Sequence, residues 1–195
     1  EADEKSSNDF GKNIIPAMLA AGERMAAYRF SGYWKDVGTI DSLWDANMDM
    51  LAVDSGVQLF DPTWPIYART PTKPPHFMGS KAVVSHSMVT GGCEVYGEVE
   101  NSVLFHSVRV EEGAQVKYSI LMPGAVVKAG AVVEYAIVAE NAVIGEGARV
   151  GAPPEDDKPE EWGIAVVAEG IKVGDGARIP AKSMVTRNVK SGGVR

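Results

Sequence analysis

Between Val84 and Val185 an aliphatic residue returns every five or six positions. Leu104, Val110, Val116, Leu121, Val127, Val133, Val138, Ile144 and Val150 are separated by 6, 6, 5, 6, 6, 5, 6 and 6 residues, so every three steps advance the chain by 17. A coarser repeat lies on top, a small residue followed by two apolar ones: Ser87-Met88-Val89, Ser102-Val103-Leu104, Ser119-Ile120-Leu121 and Ala136-Ile137-Val138, whose first members are 15, 17 and 17 residues apart. A helix repeats near 3.6 and a strand near 2, and neither generates this spacing. The pattern is therefore an architectural repeat.

A six-residue unit with one large aliphatic, then a glycine, then an alanine four positions on suits a triangular coil. Val110-Glu111-Glu112-Gly113-Ala114, Val127-Lys128-Ala129-Gly130-Ala131 and Ile144-Gly145-Glu146-Gly147-Ala148 fill this template. The aliphatic points into a prism, the glycine takes the positive φ of a corner, and the alanine fits where successive turns crowd. Three short faces make a coil, and coils stack as parallel strands about 4.8 Å apart. The five to six coils expected would form a rod about 25–30 Å long. Each coil buries its aliphatics only against its neighbours, and each buried Val, Ile or Leu contributes roughly 1.5–3 kcal/mol. The pattern resembles the hexapeptide repeat of left-handed parallel β-helices; the handedness comes with the resemblance. Such prisms occur in acyltransferases and as C-terminal appendages of sugar nucleotidyltransferases.

The 195 residues allow one or two domains, and 45% hydrophobic with 23% charged residues is ordinary for a globular protein. A formal charge of −7 without any basic cluster argues against nucleic acid or an acidic membrane as partner. Cys93 is the one cysteine, at the small-residue position of the repeat; no disulfide framework or paired metal ligand follows, which suits a reducing cytoplasm. No signal peptide or membrane-length apolar run is expected. The abrupt start without Met is read as that of a fragment.

Three segments are expected. Residues 1–51 hold a small α/β piece. After a polar start, Asp9 caps a helix marked by Ile14, Ile15, Met18 and Leu19 and stopped at Gly22, and Met25 to Phe30 reads as a short strand. Thr39 caps a second helix with Ile40, Leu43, Trp44, Met48 and Leu51 on one face and Asp41, Asp45 and Asp49 on another. Residues 52–81, with five prolines, read as an extended linker pinned by Trp64, Ile66 and Tyr67. Residues 82–190 form the prism, interrupted by an inserted loop at 151–163, with a disordered tail from Lys190.

Asp9-Phe10-Gly11-Lys12-Asn13-Ile14-Ile15-Pro16, then Gly32-Tyr33-Trp34-Lys35-Asp36-Val37-Gly38-Thr39, a helix, and Trp64-Pro65-Ile66-Tyr67 resemble the bacterial glucose-1-phosphate adenylyltransferase family. Gly97-Glu98-Val99-Glu100-Asn101-Ser102-Val103-Leu104-Phe105 and Met122-Pro123-Gly124-Ala125 add to the likeness, which runs from about Asp9 to Val185. The family's glycine-rich, arginine-bearing nucleotide loop and its glutamate-lysine sugar-phosphate pair have no counterpart here. The resemblance implies the C-terminal half of an enzyme that converts ATP and glucose 1-phosphate to ADP-glucose and pyrophosphate for glycogen synthesis. It also implies that this piece is inactive alone and serves oligomerisation and allosteric support, in a homotetramer or with a paralogous subunit. A noncatalytic companion subunit of the same pathway would look similar.

Asp36 is the first candidate for chemistry, since the resemblance makes it one of two aspartates that hold catalytic Mg²⁺. Phosphoryl transfer needs a hard cation on phosphate oxygens, and Mg²⁺ takes one or two carboxylates with waters and substrate. The competing reading is that Asp36 caps the turn before Thr39. Trp34 and Tyr33 either wall a sugar pocket or belong to the core; Lys35 reads as a solvated charge. Asp9, Phe10 and Gly11 read as the cap and packing of the first helix, and Lys12 is a weak phosphate candidate. His86 and His106 support a rival, a hexapeptide acyltransferase in which a coil histidine is the general base. Arg149, Arg178, Lys182 and Arg187 are either an allosteric anion site for a ligand such as fructose bisphosphate or scattered surface charges.

Overall fold

The computed structural model describes residues 6–52, 54–57, 59, 61–65, 67, 71–155 and 162–194. Two compact units emerge, Glu1–Gly32 and Tyr33–Arg195.

In the first unit, the Asp9 side chain accepts from the Lys12 backbone N–H (2.7 Å) and opens a wide π-type turn, Phe10–Ile14. It leads into helix α1, Ile15–Ala20, with Pro16 in its first turn and Gly22 beyond its end at φ 71°. Residues 25–30 form no strand, because no neighbouring strand offers them a ladder. Phe10, Leu19, Tyr28 and Phe30 are all exposed. These side chains leave an apolar surface uncovered on this unit among the described residues.

The second unit is the expected triangular prism. Three parallel sheets of six strands each run in orders that skip two strands at a time, so each chain segment pairs with its equivalent one coil away. Val126 pairs with Arg109 and with Val143, each 17 residues distant. Strands are two or three residues long, and the inner member of each points into one continuous apolar core: Val95, Val110, Val127 and Ile144 on the first face, Val99, Val116 and Val133 on the second, Leu104, Leu121 and Val138 on the third. Gly113, Gly130 and Gly147 turn a corner at φ 63–73°, each followed by a buried alanine. The prism begins earlier than residue 82: its first strand is Phe77–Met78, inside the stretch assigned to the linker. It also ends later. Val189 and Val194 bridge to Val173 and Arg178, so the glycine-rich tail read as disordered continues the coil, with Gly192 at a positive-φ corner. Within 52–81, Trp64 and Tyr67 are 82% and 90% exposed and pin nothing; Ile66 lies outside the described residues.

The corner between the second and third faces carries two stacked ladders. His86, Asn101, Tyr118 and Tyr135 occupy equivalent positions on successive coils, all at φ 43–49°. Side chains stacked at the coil spacing satisfy one another: His86 Nδ1 lies 2.6 Å from Asn101 Oδ1, and the Tyr118 and Tyr135 rings stack 4.7 Å apart, 6° from parallel. Immediately after them come Ser87, Ser102, Ser119 and Ala136. Each serine hydroxyl donates to the carbonyl two residues back (2.7 Å) and accepts the backbone N–H of its equivalent one coil on (3.1 Å). Ser102 and Ser119 are fully buried. The hydroxyls thus supply the partner that a bent strand edge otherwise lacks. At this corner the inserted loop leaves, from Gly151, where a Cβ would collide with the Glu134 carbonyl oxygen. The loop's residues 156–161 lie outside the described set.

Helix α2, Ile40–Asp49, is capped by Thr39, whose hydroxyl accepts from Ser42 N, and has Asp41 in its first turn. Sequence reading groups it with the N-terminal piece, but it packs on the prism. The physical reason is in the two-apolar repeat: on the third face Ile120 and Ile137 point outward while Leu121 and Val138 point inward, leaving that face apolar on both sides. Ile40, Leu43, Trp44 and Met48 cover Ile120, Ile137 and Ile164. Trp44 Nε1 donates to the Tyr118 carbonyl (2.7 Å), and Tyr135 lies between Trp44 and an edge-on Trp162.

Replacing Ser119 by Ala leaves the buried Ala136 N–H without a partner, and chemical denaturation should register a loss of about 1–3 kcal/mol. Trp44→Phe removes the bond to Tyr118 and part of the indole's contact area and should cost about 1–2 kcal/mol. Trp44→Ala uncovers the third face as well and should cost about 2–4 kcal/mol, somewhat below a fully buried tryptophan. Equal losses for the two Trp44 variants would show that the ring does not hold the helix.

Candidate functional site

The loop from Tyr33 to Thr39 runs beside α2. Its alternate residues part company. The Tyr33 hydroxyl and the Lys35 ammonium both donate to Asp49 Oδ2, at 3.0 and 2.8 Å, and Lys35 also lies 3.7 Å from Asp45. Trp34 and Asp36 are exposed, Trp34 at 77%. The hydrogen bond from Lys35 holds the Asp49 carboxyl below the usual carboxylate range, reinforced by that from Tyr33. Partial burial, then the Asp49 bond, push the Tyr33 phenol up; the bond to Asp49 pushes Lys35 up. Lys35 is thus an ion-paired residue and not the solvated charge its isolation in sequence implies.

Asp36 Oδ1 accepts the Gly38 backbone N–H at 3.0 Å, so the turn-capping reading describes a bond that is present. That bond occupies one site on one oxygen. An ionised carboxylate offers about four lone-pair sites, so the group keeps capacity for a hard cation. No cluster of three or more His, Cys, Asp or Glu able to hold a metal occurs among the described residues. One exposed carboxylate with open lone pairs has the chemistry of a single Mg²⁺ ligand, an ion that takes one or two carboxylates and retains waters and substrate oxygens. Tyr33 and Trp34 do not enclose a pocket within this unit: one is tied to Asp49, the other stands in the open.

The other candidates are dispersed. Arg149 and Arg178 are register partners on the outer side of the second face, both exposed. Lys182 lines a hollow of about 240 Å³ with Asp41, Trp162 and Met184, between the start of α2 and the last coil. Arg187 is exposed on the turn beyond Met184–Val185. The structure thus brings together two of the four basic residues. His86 and His106 sit on different corners, bonded to Asn101 and Ser107. Cys93 is buried, its thiol donating to the Phe105 carbonyl at 3.0 Å, and burial raises its pKa. Among the described residues no helix is long and apolar enough to cross a membrane.

Asp45 and Asp49 are the residues that sequence reading left on the solvent face of the helix. The available signal was their four-residue spacing opposite a loop with Tyr and Lys two apart, which is weak because surface helices commonly carry such charges.

Comparison with known proteins divides the chain differently, since the N-terminal match extends through α2. Residues 1–53 match a family model described as nucleotidyl transferase, and residues 73–174 match one described as GlmU-like, C-terminal hexapeptide. A glucose-1-phosphate adenylyltransferase of Clostridium perfringens (strain 13 / Type A) is 54% identical over 123 residues, 63% of this chain and 31% of that protein. Proteins of the same name from Bacillus mycoides (strain KBAB4) and Bacillus cereus (strain ATCC 10987 / NRS 248) are each 50% identical over 121 residues, 62% of this chain and 32% of theirs. The chain thus spans about a third of the length of the curated relatives it matches. With a three-sided parallel prism whose coils coincide with the hexapeptide match, this chain belongs to the GlmU-like C-terminal hexapeptide family.

Proposed function

We propose that this chain is the C-terminal part of a glucose-1-phosphate adenylyltransferase, an enzyme forming ADP-glucose and pyrophosphate from ATP and glucose 1-phosphate. The observation that carries the reading is the pairing on one chain of a nucleotidyl-transferase match with a hexapeptide prism, at 50–54% identity to adenylyltransferases. The reaction moves a nucleotidyl group, and charge gathers on phosphate oxygens as the attacking and leaving oxygens exchange. Mg²⁺ neutralises that charge when bound. In this reading Asp36 supplies one carboxylate to the ion, presented to solvent on the outer side of the 33–39 loop. The segment by itself contains no glycine-rich phosphate cradle and turns nothing over. Its own contribution is to carry that loop on the prism and to offer prism surface for a homotetramer, or a hetero-oligomer with a paralogous subunit, and for allosteric anions. Arg149 and Arg178 are the adjacent pair for such an anion.

The test is the full-length enzyme carrying Asp36→Asn, assayed for ADP-glucose formation under saturating ATP, glucose 1-phosphate and Mg²⁺. Loss of a metal carboxylate removes several kcal/mol of charge stabilisation, so the rate should fall at least about a hundredfold. A variant that retains the parent rate and Mg²⁺ requirement removes Asp36 from the chemistry.

A further inference from the structure

Asp36 is exposed and held by one backbone bond, yet a metal ligand must be placed to within a fraction of an ångström to act. Something else has to place it. The loop is fixed at both ends to one helix. At its start, Tyr33 and Lys35 converge on a single oxygen of Asp49, the last residue of α2. At its end, Thr39 is the N-cap of the same helix. From residue 40 to residue 49 the helix rises about 13–14 Å. The four backbone steps from Lys35 to Thr39 reach at most about 13–14 Å, and the turn over residues 36–38 shortens that, so the Lys35 side chain spans the remaining distance to Asp49. The helix is in turn clamped to the prism through Trp44 and the Tyr118 carbonyl, and through its apolar face on Ile120, Ile137 and Ile164.

Resting on the metal role given to Asp36 above, we infer that Asp49 is a positioning residue, which by gripping Tyr33 and Lys35 holds the 33–39 loop against a prism-anchored helix and so fixes where the Asp36 carboxylate meets Mg²⁺. The grip is selective by construction. Both donors are on one side of the loop, so tightening it turns the residues between and beyond them, Trp34 and Asp36, outward. An aspartate at 49 with the same charge but no converging donors would stabilise nothing in the loop. Asp41, in the first turn of the same helix and away from the Tyr33–Lys35 grip, serves as the control for helix charge.

The experiment measures Mg²⁺ saturation of ADP-glucose formation by the full-length enzyme, with kcat and the KM for glucose 1-phosphate, for Asp49→Ala, Tyr33→Phe, Lys35→Arg, Asp41→Ala and Asp36→Asn. Circular dichroism melts report the folded fraction of each. Removing a group that orients a metal ligand typically costs about tenfold or more in metal affinity or rate. Asp49→Ala should therefore raise half-saturating Mg²⁺ about tenfold and lower kcat, with KM for glucose 1-phosphate within about twofold. Tyr33→Phe should shift Mg²⁺ saturation in the same direction by less, while Lys35→Arg, which keeps the ion pair, and Asp41→Ala should follow the parent curve. An inactive Asp36→Asn alongside parent-like Mg²⁺ curves for Asp49→Ala and Tyr33→Phe overturns the positioning role while leaving the metal role intact. If Asp49→Ala fails to fold, a parent-like curve for Tyr33→Phe overturns it as well. A fully active Asp36→Asn overturns the reading beneath both.

Discussion

A coil built from strands of two or three residues has no core of its own. Its valines become buried only when another coil stacks on each side, at the separation the parallel backbone ladder dictates. That single distance sets most of what else is seen. It brings Leu104, Leu121 and Val138 into one column, and it holds the Tyr118 and Tyr135 rings 4.7 Å apart and nearly parallel. It also lets one serine hydroxyl reach the amide of its successor. A bent ladder leaves polar groups facing inward at the corner, and a buried unpaired amide costs about as much as a fully buried valine or leucine side chain gains. The serine ladder removes that cost where the corner is tightest, and no buried side-chain polar atom among the described residues lacks a partner.

The third face departs from the other two in being apolar outside as well as inside. On the first and second faces the outward positions include Glu94, Arg109, Glu98 and Gln115, tied in part by surface pairs such as Arg109 with Glu94 and Lys117 with Glu98. On the third they are Val103, Ile120 and Ile137. A face of that kind needs a cover, and α2 provides it with a stripe of Ile40, Leu43, Trp44 and Met48 at helical spacing. The same corner releases the inserted loop, whose Trp162 returns to close the aromatic cluster and donates to the Ala152 carbonyl. Structure and prospective chemistry meet at this helix: one side rests on the prism, another holds the loop that presents Asp36.

The prism was legible because its repeat is dictated by geometry and recurs over many coils, so Val127 or Gly130 could be assigned a direction from spacing alone. The insertion at Gly151 was legible for the same reason, as a break in an otherwise regular beat. Its ends were not. Phe77–Met78 lies among prolines that mask a strand of two residues, and Gly192-Gly193 looks like a flexible tail until Gly192 is seen to turn a corner. The serine hydroxyls were read merely as small, since spacing reports volume and not hydrogen bonding. Two adjacent apolar residues in each Ser-x-x unit already announced a doubly buried face, but nothing local says which distant helix covers it. Likewise Asp36 stands out in a resemblance, whereas Asp49 becomes meaningful only once the loop is seen folded back along the helix.

Both the cover of the third face and the placing of the 33–39 loop require α2 to be part of the prism and not an appendage beside it. Hydrogen exchange of the unaltered chain, resolved to individual amides, tests this most directly. The helical amides of residues 44–49 should exchange slowly and in step with those of Ile120 and Ile137 on the face they cover, because opening the helix uncovers that face. Exchange of 44–49 at the rate of an unstructured peptide, while the prism amides stay protected, would contradict it.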